Sequence, residues 1–242
     1  MKTIAVIPAR FGSTRFPGKP LALIHGKTMI EHVYQRVKSA ALIDNVIVAT
    51  DHPEIYEEVQ TFGGSVMITR DNHESGSDRI AEVAEKIEGD IFINIQGDEP
   101  LIHPDLIDEI VSLAKKSPES VITAKVKIEN EEDIINPNVV KVVEGQDQNA
   151  LYFSRSPIPY KRTQENTAYY KHLGIYCYPK QILMDFIKMP KSRLEEIEML
   201  EQLRLIENGY NIKVIQTTFD AVGVDVPGDI QKVEELLGGF VR

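Results

Sequence analysis

The feature that most constrains the fold is a regular alternation of short apolar runs with amphipathic segments in the first half of this 242-residue sequence. The runs at residues 3–9, 46–50 and 91–95 have the length and composition of buried strands, and residues 65–69 form a shorter one. The segments between them carry apolar residues at helical spacing. Buried strands separated by helices predict a parallel sheet with helices on both faces.

Start and stop signals place the helices of this part. Thr28 and Glu31 predict a capping box that opens the first helix. A proline near the start and a glycine just past the end bound the second one. Helices are therefore predicted at residues 28–41, 53–62, around 80–87 and 104–115.

The alternation weakens after about residue 130. An antiparallel strand pair is predicted at residues 139–143 and 150–153, and Ser192 with Glu195 predicts one long capped helix. The other predicted elements are a strand at 172–178, a polar loop at 156–170, the long helix at 192–208, a strand at 211–217 and a closing helix at 227–237. The fold class is thus α/β, a doubly wound, mostly parallel sheet. We expect a single domain over residues 1–242 with an α+β insertion at about 130–210.

Composition excludes several classes of protein. The longest uninterrupted apolar run has four residues, whereas a membrane-spanning helix needs about 20. Cys177 is the only cysteine, so an intrachain disulfide and a cysteine-based zinc cluster are excluded, and we expect this thiol to be a buried packing residue. The first residues lead straight into a strand pattern, without room for a signal peptide. This observation and the single cysteine together predict a cytoplasmic protein.

The charge is unevenly distributed along the chain. The net charge is -10, which argues against nucleic acid as the main partner. Residues 1–40 nevertheless carry a net charge of +6, which leaves -16 for the other 202 residues. A basic segment on an acidic protein predicts a local anion site, with chance clustering on a solvated face as the alternative.

The strongest candidate for that site is the glycine-containing loop that follows the first strand. In an open α/β sheet, ligands bind at the carboxyl ends of the strands. Gly12 and Gly18 allow close approach of backbone amides to a phosphate, and Arg10, Arg15 and Lys19 supply positive charge. The loop matches neither the P-loop pattern nor G-x-G-x-x-G. An exposed basic loop is the weaker interpretation, because three cations within ten residues follow the first strand.

Two aspartates also come at predicted strand ends. Asp98 follows the strand at 91–95, and Asp225 lies between the last strand and the last helix. Carboxylates in this position can hold Mg²⁺ against phosphates. Taken singly, Asp98 fits an ordinary Gly-Asp turn and Asp225 fits a helix N-cap. Together with the basic loop they predict a magnesium–nucleotide site.

Further polar residues are weaker candidates. The segment 75–79 can receive a base or ribose, and a capped helix start explains it equally well. The side chains at 198, 201, 202 and 205 share one face of the long predicted helix, for which a solvated acidic face is the default interpretation. Five histidines show no metal-ligand spacing and are interpreted as surface or capping residues: His25, His32, His52, His73 and His103.

The motifs resemble those of the 3-deoxy-D-manno-octulosonate cytidylyltransferases, also called CMP-Kdo synthetases. The matching stretches occur in family order and span nearly the whole chain. They are IPARFGSTRFPGKPL (7–21), VATDH (48–52), ESGSDR (74–79), NIQGDEP (94–100), NPNVVKVV (136–143), ALYFSRSPIP (150–159), KHLGIY (171–176), EEIEMLEQLR (195–204) and GVDVP (223–227). The first motif is common to many nucleotide-sugar-forming enzymes, whereas QGDEP, HLGIY and EMLEQLR are much more specific.

This resemblance implies a nucleotide-diphospho-sugar transferase-like, Rossmann-like fold and an enzyme of lipopolysaccharide synthesis. Such an enzyme transfers the cytidylyl group of CTP to the anomeric hydroxyl of Kdo and releases pyrophosphate. It also implies a homodimer with the insertion at the interface, no nucleic-acid partner and no membrane insertion. The residues carried over fall into four groups. Arg10, Lys19, Asp98 and Asp225 are catalytic; Arg10, Ser13, Arg15, Lys19, Ser75 and Arg79 bind the nucleotide; Gln96, Arg155, His172, Tyr176, Glu201 and Gln202 bind the sugar acid; Asp98 and Asp225 bind Mg²⁺.

The implied chemistry depends mainly on positioning and charge neutralisation. Arg155 is a candidate clamp for the sugar carboxylate. We expect Mg²⁺ on Asp98 and Asp225 to lower the pKa of the attacking hydroxyl, and we identify no separate general base.

The sequence also departs from the family pattern. Val226 stands where the family commonly has Thr, so we expect a helix start weakened by ~1 kcal/mol. Phe11, Ser77 and Gly228 are further departures, and the loop at 156–170 is shorter than in many relatives. The alternatives are a cytidylyltransferase for 8-amino-Kdo or sialic acid, and a catalytically silent nucleotide-binding protein. The silent protein would be expected to lose Lys19, Asp98 or Asp225, and all three are present.

Overall fold

The structure is a computed structural model that describes residues 1–12, 16–163 and 167–239. The chain divides into two compact units. Unit 1 comprises Met1–Ser112 and Ala221–Arg242, and unit 2 comprises Leu113–Asp220. The single domain with an insertion at about 130–210 stays a prediction.

Strands and helices alternate along much of the chain. The strands are β1 (Thr3–Ala9), β2 (Leu23–Ile24), β3 (Lys27–Thr28), β4 (Asn45–Thr50), β5 (Val66–Ile68), β6 (Ile91–Asn94), β7 (Val121–Lys127), β8 (Lys141–Glu144), β9 (Ala150–Ser154), β10 (Tyr170–Pro179) and β11 (Ile212–Thr217). The α-helices are α1 (Met29–Lys38), α2 (Pro53–Thr61), α3 (Gly76–Lys86), α4 (Pro104–Lys116), α5 (Glu131–Ile135), α6 (Lys180–Phe186), α7 (Arg193–Glu198), α8 (Leu203–Glu207) and α9 (Asp229–Gly239). One turn of 3-10 helix covers Lys19–Leu21.

Unit 1 contains four parallel strands in the order β6-β1-β4-β5. The side chains of β1 from Ile4 to Ile7 are fully buried, because a parallel strand is covered on both faces. Helix α1 contacts β1 and β4, and α3 contacts β1 and β6. Ala9 is paired with Thr50, and Val6 with Asn94, so the loops after β1, β4 and β6 leave the sheet at the same edge. This confirms the predicted α/β class and parallel strand arrangement.

One predicted capping box in unit 1 is wrong. Thr28 precedes α1, but its hydroxyl donates to Glu58 at 2.9 Å, and its side chain makes no capping hydrogen bond. Glu31 instead accepts a hydrogen bond from Lys27. The carboxylate of a neighbouring helix therefore replaces the local cap. The box that does form is at α3, where Ser75 and Asp78 exchange both hydrogen bonds.

Unit 2 has a mixed strand arrangement. Strand β7 is parallel to β11 and antiparallel to β10, and β8 is antiparallel to β9, which confirms the predicted antiparallel pair. The register of β10 shifts between Leu173 and Tyr176 where it faces Thr123 and Ala124. Cys177 is fully buried, and burial raises the pKa of its thiol, so the expectation of a buried packing residue is confirmed.

The prediction of one long helix at residues 192–208 is wrong. The chain forms two short helices, α7 and α8, because Met199 adopts a left-handed conformation with φ of 53°. The guanidinium of Arg155 binds the carbonyl oxygens of Glu198 and Met199 at 2.7 and 3.2 Å. These two carbonyls face the end of β9 instead of a following helical turn, so the face shared by residues 198, 201, 202 and 205 does not form.

No helix in the described part of the chain is both long enough and apolar enough to cross a membrane.

Candidate active site

The loops at the carboxyl edge of the unit 1 strands enclose a cavity of about 400 Å³. Seven of the predicted site residues line it: Arg10, Lys19, Ser75, Arg79, Gln96, Asp98 and Asp225. Ser13 and Arg15 lie outside the described residues. The described residues that were predicted to bind the nucleotide and the metal thus line one cavity.

Gly97 allows two of these loops to approach each other. A Cβ atom at this position would lie 2.8 Å from the carbonyl oxygen of Pro8, a separation that real Cβ atoms essentially never show. The loop that carries Asp98 can therefore pass directly against the end of β1 only because residue 97 has no side chain.

Lys19 connects the two aspartates. Its ammonium lies 2.5 Å from a carboxylate oxygen of Asp98 and 3.9 Å from one of Asp225, and it donates to the carbonyl of Val224 at 2.8 Å. The side chain of Lys19 is only 14% exposed. A positive charge between two carboxylates stabilises a cluster whose members come from three separate loops.

A glycine conformation and aromatic packing fix Gly18 and Phe11, which both precede Lys19 in the chain. Gly18 has a φ of 69°, which favours glycine, and its amide donates to the carbonyl of Phe11 at 3.0 Å. The rings of Phe11 and His52 are stacked with centroids 4.0 Å apart. Lys19 then begins the 3-10 turn that directs it toward Asp98.

Asp229 fixes the backbone around Asp225. One of its carboxylate oxygens accepts hydrogen bonds from the amides of Asp225 and Val226 at 2.8 and 2.9 Å. These backbone hydrogen bonds lower the pKa of Asp229. The start of α9 thus has a carboxylate cap of its own, which compensates for the hydroxyl missing at Val226.

Arg79 is a buried residue that stabilises the wall of the cavity. It is 4% exposed, and its guanidinium donates to the Thr69 hydroxyl at 2.6 Å and to the Asp51 carboxylate at 2.7 Å. Two of its donor groups are therefore occupied by the protein itself.

The interpretation of His73 as a surface or capping residue is wrong. Its side chain is 6% exposed and lines the cavity, and its Nε2 atom lies 2.6 Å from the carboxylate of Glu82. Glu82 itself is buried on α3. The sequence analysis did not identify Glu82 as a candidate site residue. A sequence signal for the cavity position of His73 was available, because this residue lies between a strand and a helix. The same position in the strand–helix pattern identified Asp98.

In unit 2, the predicted residues His172 and Tyr176 lie near each other, with ring centroids 5.3 Å apart. The Thr123 hydroxyl donates to the carbonyl of Ile175 at 2.8 Å and lies 3.1 Å from Nε2 of His172. Burial lowers the pKa of His172 to about 3, so this ring is neutral at pH 7.

The Tyr176 hydroxyl is the unusual group of this cluster. It is buried and has no hydrogen-bond partner within the described ranges. Burial, together with the charges of Tyr178 and Glu201, raises its pKa. A buried hydroxyl without a partner costs free energy, so this atom is placed where a ligand could satisfy it.

Arg155 is bound to the main chain. Its guanidinium donates to the carbonyls of Glu198, Met199 and Pro137, while the Glu198 carboxylate accepts from the Arg155 amide and from the Ser154 hydroxyl. Arg155 therefore stabilises the turn between α7 and α8. In that turn Gln202 is buried and Glu201 is half-buried.

No group of three or more His, Cys, Asp or Glu side chains that could hold a metal ion occurs among the residues that the structure describes. Asp98 and Asp225 converge on one positive charge, that of Lys19. Two carboxylates suit Mg²⁺, which takes oxygen ligands and completes its shell with water and substrate phosphates. The pair fits a metal shared with a bound nucleotide.

Comparison with known proteins defines the class first. The solved structure of 4-diphosphocytidyl-2C-methyl-D-erythritol synthase from Anaerococcus prevotii has the same fold, with a TM-score of 0.66 at 12% identity over 98% of this chain and 96% of that one. The family model described as cytidylyltransferase matches residues 4–214. The fold is that of the nucleotide-diphospho-sugar transferases, and the protein is a nucleotidyltransferase.

Two further relatives are more specific. The 3-deoxy-manno-octulosonate cytidylyltransferase of Thermodesulfovibrio yellowstonii is 50% identical over 99% of this chain and 100% of its own length. A solved structure of CMP:2-keto-3-deoxy-manno-octonic acid synthetase complexed with CTP is 45% identical, with a TM-score of 0.96 over 99% of this chain and 100% of that one. The chain belongs to the 3-deoxy-manno-octulosonate cytidylyltransferase family.

Proposed function

We propose that this protein transfers the cytidylyl group of CTP to the anomeric hydroxyl of 3-deoxy-D-manno-octulosonate (Kdo) and releases pyrophosphate. The observation that carries the proposal is the cluster of Lys19, Asp98 and Asp225 in the unit 1 cavity. Membership in a family of that name supports the choice of both substrates.

The triphosphate binds at the basic end of the cavity. Arg10 and Lys19 line it and supply positive charge, and we propose that Ser13 and Arg15, which come between them in the sequence, also bind the phosphates. Ser75, Gly76 and Arg79 line the cavity at the start of α3, where the nucleoside binds.

Asp98 and Asp225 are the proposed magnesium ligands. When the nucleotide binds, its phosphates replace these carboxylates as partners of the Lys19 ammonium. Bound Mg²⁺ supplies charge neutralisation at the phosphates and lowers the pKa of the attacking hydroxyl. The amide hydrogen bonds from Asp225 and Val226 to Asp229 keep the Asp225 backbone in place.

The sugar acid binds through the polar cluster of unit 2, which contains His172, Tyr176, Glu201 and Gln202. The family resemblance also assigns Gln96 to sugar-acid binding, and in the structure this residue lines the unit 1 cavity. The unpartnered Tyr176 hydroxyl supports this assignment, because a sugar hydroxyl or carboxylate would satisfy it. The carboxylate clamp predicted at Arg155 stays a prediction, and its guanidinium would have to exchange a backbone carbonyl for the ligand.

In the reaction, the anomeric oxygen forms a bond to the α-phosphorus of CTP, and the bond between this phosphorus and the bridging oxygen of pyrophosphate breaks. The proton of the hydroxyl leaves to solvent, since we assign no residue as a separate general base. The protein contributes orientation and a positive environment for the leaving pyrophosphate. We further propose that the enzyme is a cytoplasmic homodimer.

Steady-state pyrophosphate release tests this function. We expect release with CTP, Mg²⁺ and Kdo together, and at most slow release when UTP or ATP replaces CTP. Parallel reactions with sialic acid and 8-amino-Kdo identify the sugar acid. Release only with one of these two would leave the cytidylyl transfer in place and overturn Kdo as the acceptor; no release with any sugar acid would favour the silent nucleotide-binding protein.

A further inference from the structure

The carboxylate of Glu82 lies at the centre of a polar cluster beside the nucleotide cavity. It is 5% exposed on α3 and receives hydrogen bonds from the Arg70 amide at 3.0 Å and from the Arg70 guanidinium at 3.4 Å. Lys86 donates to its other oxygen at 2.6 Å, and Nε2 of His73 lies 2.6 Å from the first one. Three of these four contacts, two from Arg70 and one from His73, hold the loop between β5 and α3 against one buried side chain, and the fourth comes from Lys86 at the end of α3 itself.

This arrangement determines which nitrogen of His73 carries the proton. The partners of Glu82 at Arg70 and Lys86 are obligatory donors, so the carboxylate acts as an acceptor. Burial alone would raise the pKa of Glu82, but hydrogen bonds from Lys86, the Arg70 backbone and His73 lower it to about 2. An ionised carboxylate has no hydrogen to give, so Nε2 of His73 must donate.

The other ring nitrogen, Nδ1, is an acceptor in the neutral form of the ring and a donor in the protonated form. In a neutral imidazole that is protonated at Nε2, Nδ1 presents a lone pair. His73 lines the cavity, and within the described ranges the structure shows no hydrogen-bond partner for its Nδ1 atom. Ser75 and Gly76, at the start of α3, also line the cavity.

We propose that His73 determines the base specificity of the cavity, with Nδ1 accepting a hydrogen bond from the 4-amino group of cytosine. Glu82 is the positioning residue that holds the ring in the required tautomer. Uracil carries an acceptor oxygen where cytosine has the amino group, so with UTP this oxygen and Nδ1 would be two acceptors without a hydrogen between them. The inference rests on the proposed function only in that the cavity takes a cytidine nucleotide.

Nitrogen-15 NMR of the histidine side chains tests the tautomer directly in the wild-type protein. The chain has six histidines, and the His73→Phe variant assigns the His73 signals by their loss. We expect a neutral ring with the proton on Nε2, and we expect CTP, but not UTP, to move the Nδ1 resonance. A proton on Nδ1, or an Nδ1 signal that CTP leaves unchanged, would overturn the proposal.

Equilibrium binding of CTP and UTP tests the specificity. Because one hydrogen bond to the base is lost, His73→Phe should bind CTP about tenfold more weakly, and it should bind UTP no more weakly than the wild type does, since an acceptor that opposes uracil is removed. His103→Phe is the matched control, since this half-buried ring contacts Asp105 and does not line the cavity. An unchanged ratio of CTP to UTP affinity in His73→Phe, with a thermal midpoint like that of the control, would contradict the assignment.

Glu82→Gln addresses the positioning role. The amide of Gln cannot accept from all the donors around it, so the Nε2–H tautomer should lose population, and the preference for CTP should fall several-fold. Retention of both the tautomer and the preference would remove Glu82 from the proposal. These binding measurements need no sugar acid, so they can succeed even if turnover with Kdo fails.

Discussion

The nucleotide cavity of unit 1 and the polar cluster of unit 2 hold their charged groups in different ways. In the cavity, side chains bind side chains from other loops, as Lys19 binds Asp98 and Arg79 binds Asp51. In unit 2, the cations Arg155 and Lys141 donate mainly to backbone carbonyls. The cavity thus contains charged side chains paired with one another, whereas Arg155 and Lys141 stabilise the main chain of unit 2.

The difference extends to the groups left for a ligand. In the cavity, the Lys19 ammonium already has carboxylate partners, so a nucleotide must exchange one ionic contact for another. In unit 2, the Tyr176 hydroxyl has no partner in the described part of the chain, so a ligand adds a contact without displacing one. Substitutions in the cavity should therefore affect catalysis most, and substitutions in unit 2 should affect stability and sugar-acid binding.

The largest effect is expected from the carboxylates of the cavity. Asp98→Asn and Asp225→Asn should each lower kcat by roughly 10²–10³-fold, because each removes a carboxylate that we propose as a magnesium ligand. The measurement is turnover against Mg²⁺ concentration, with the exposed Asp105→Asn as the control. Turnover and metal dependence near those of wild type in both variants would contradict the metal assignment.

The second prediction concerns the pH dependence of stability in unit 2. His172 has a pKa of about 3 when folded and about 6.5 when unfolded. Below pH 6.5 His172 binds a proton in the unfolded chain but stays neutral in the folded chain. His172 therefore lowers the free energy of unfolding as the pH falls toward 3. Between pH 6.5 and 4.5 the loss should reach about 2 to 3 kcal/mol.

His172→Phe should remove this part of the acid destabilisation. Denaturant unfolding at several pH values measures it, with a substitution of the exposed His25 as the control for general effects of histidine removal. Equal acid sensitivity of wild type and His172→Phe would show that the ring is not held neutral.

The third prediction uses the Tyr176 hydroxyl to distinguish a ligand contact from a structural one. Tyr176→Phe should raise the free energy of unfolding by about 1 to 2 kcal/mol, because it removes a buried polar group without a partner. It should also raise the KM for Kdo about tenfold and leave the KM for CTP unchanged. Tyr160→Phe, at an 88% exposed position, is the control. A less stable variant with an unchanged KM for Kdo would show that the hydroxyl has a structural partner.

The smallest effect is expected at the helix start that follows Asp225. Asp229→Ala removes the acceptor for two backbone amides and should cost about 1 kcal/mol of stability. It should also raise the Mg²⁺ concentration for half-maximal turnover, since Asp225 is then held less firmly. Asp229→Asn retains an oxygen acceptor and should restore much of both losses; failure of this rescue would indicate that the charge, not the hydrogen bonds, is required.

The cavity could be predicted from sequence because its residues follow strand ends. Once the parallel strands were identified, Lys19, Asp98 and Ser75 had to lie near one edge of the sheet. The sequence did not indicate Glu82 or the cavity position of His73. Their contact depends on the fold of the loop after β5, and a buried glutamate on a helix resembles an ordinary polar residue in the sequence.

The site in unit 2 was harder to predict, because it depends on a break that the local pattern opposes. Residues 192–208 have helical periodicity, and Ser192 with Glu195 is a strong start signal. The left-handed Met199 and the carbonyl contacts of Arg155 interrupt that helix through a tertiary interaction with β9. Local propensity cannot include a partner that lies more than 40 residues away.

Phosphorus-31 NMR of the complete reaction tests the central claim most directly, because it shows which phosphorus is attacked. The wild-type protein with CTP, Mg²⁺ and Kdo should convert the three CTP signals into one phosphodiester signal and pyrophosphate in equal amounts. Formation of CDP and phosphate, or unchanged CTP while the nucleotide is bound, would contradict cytidylyl transfer at this cavity.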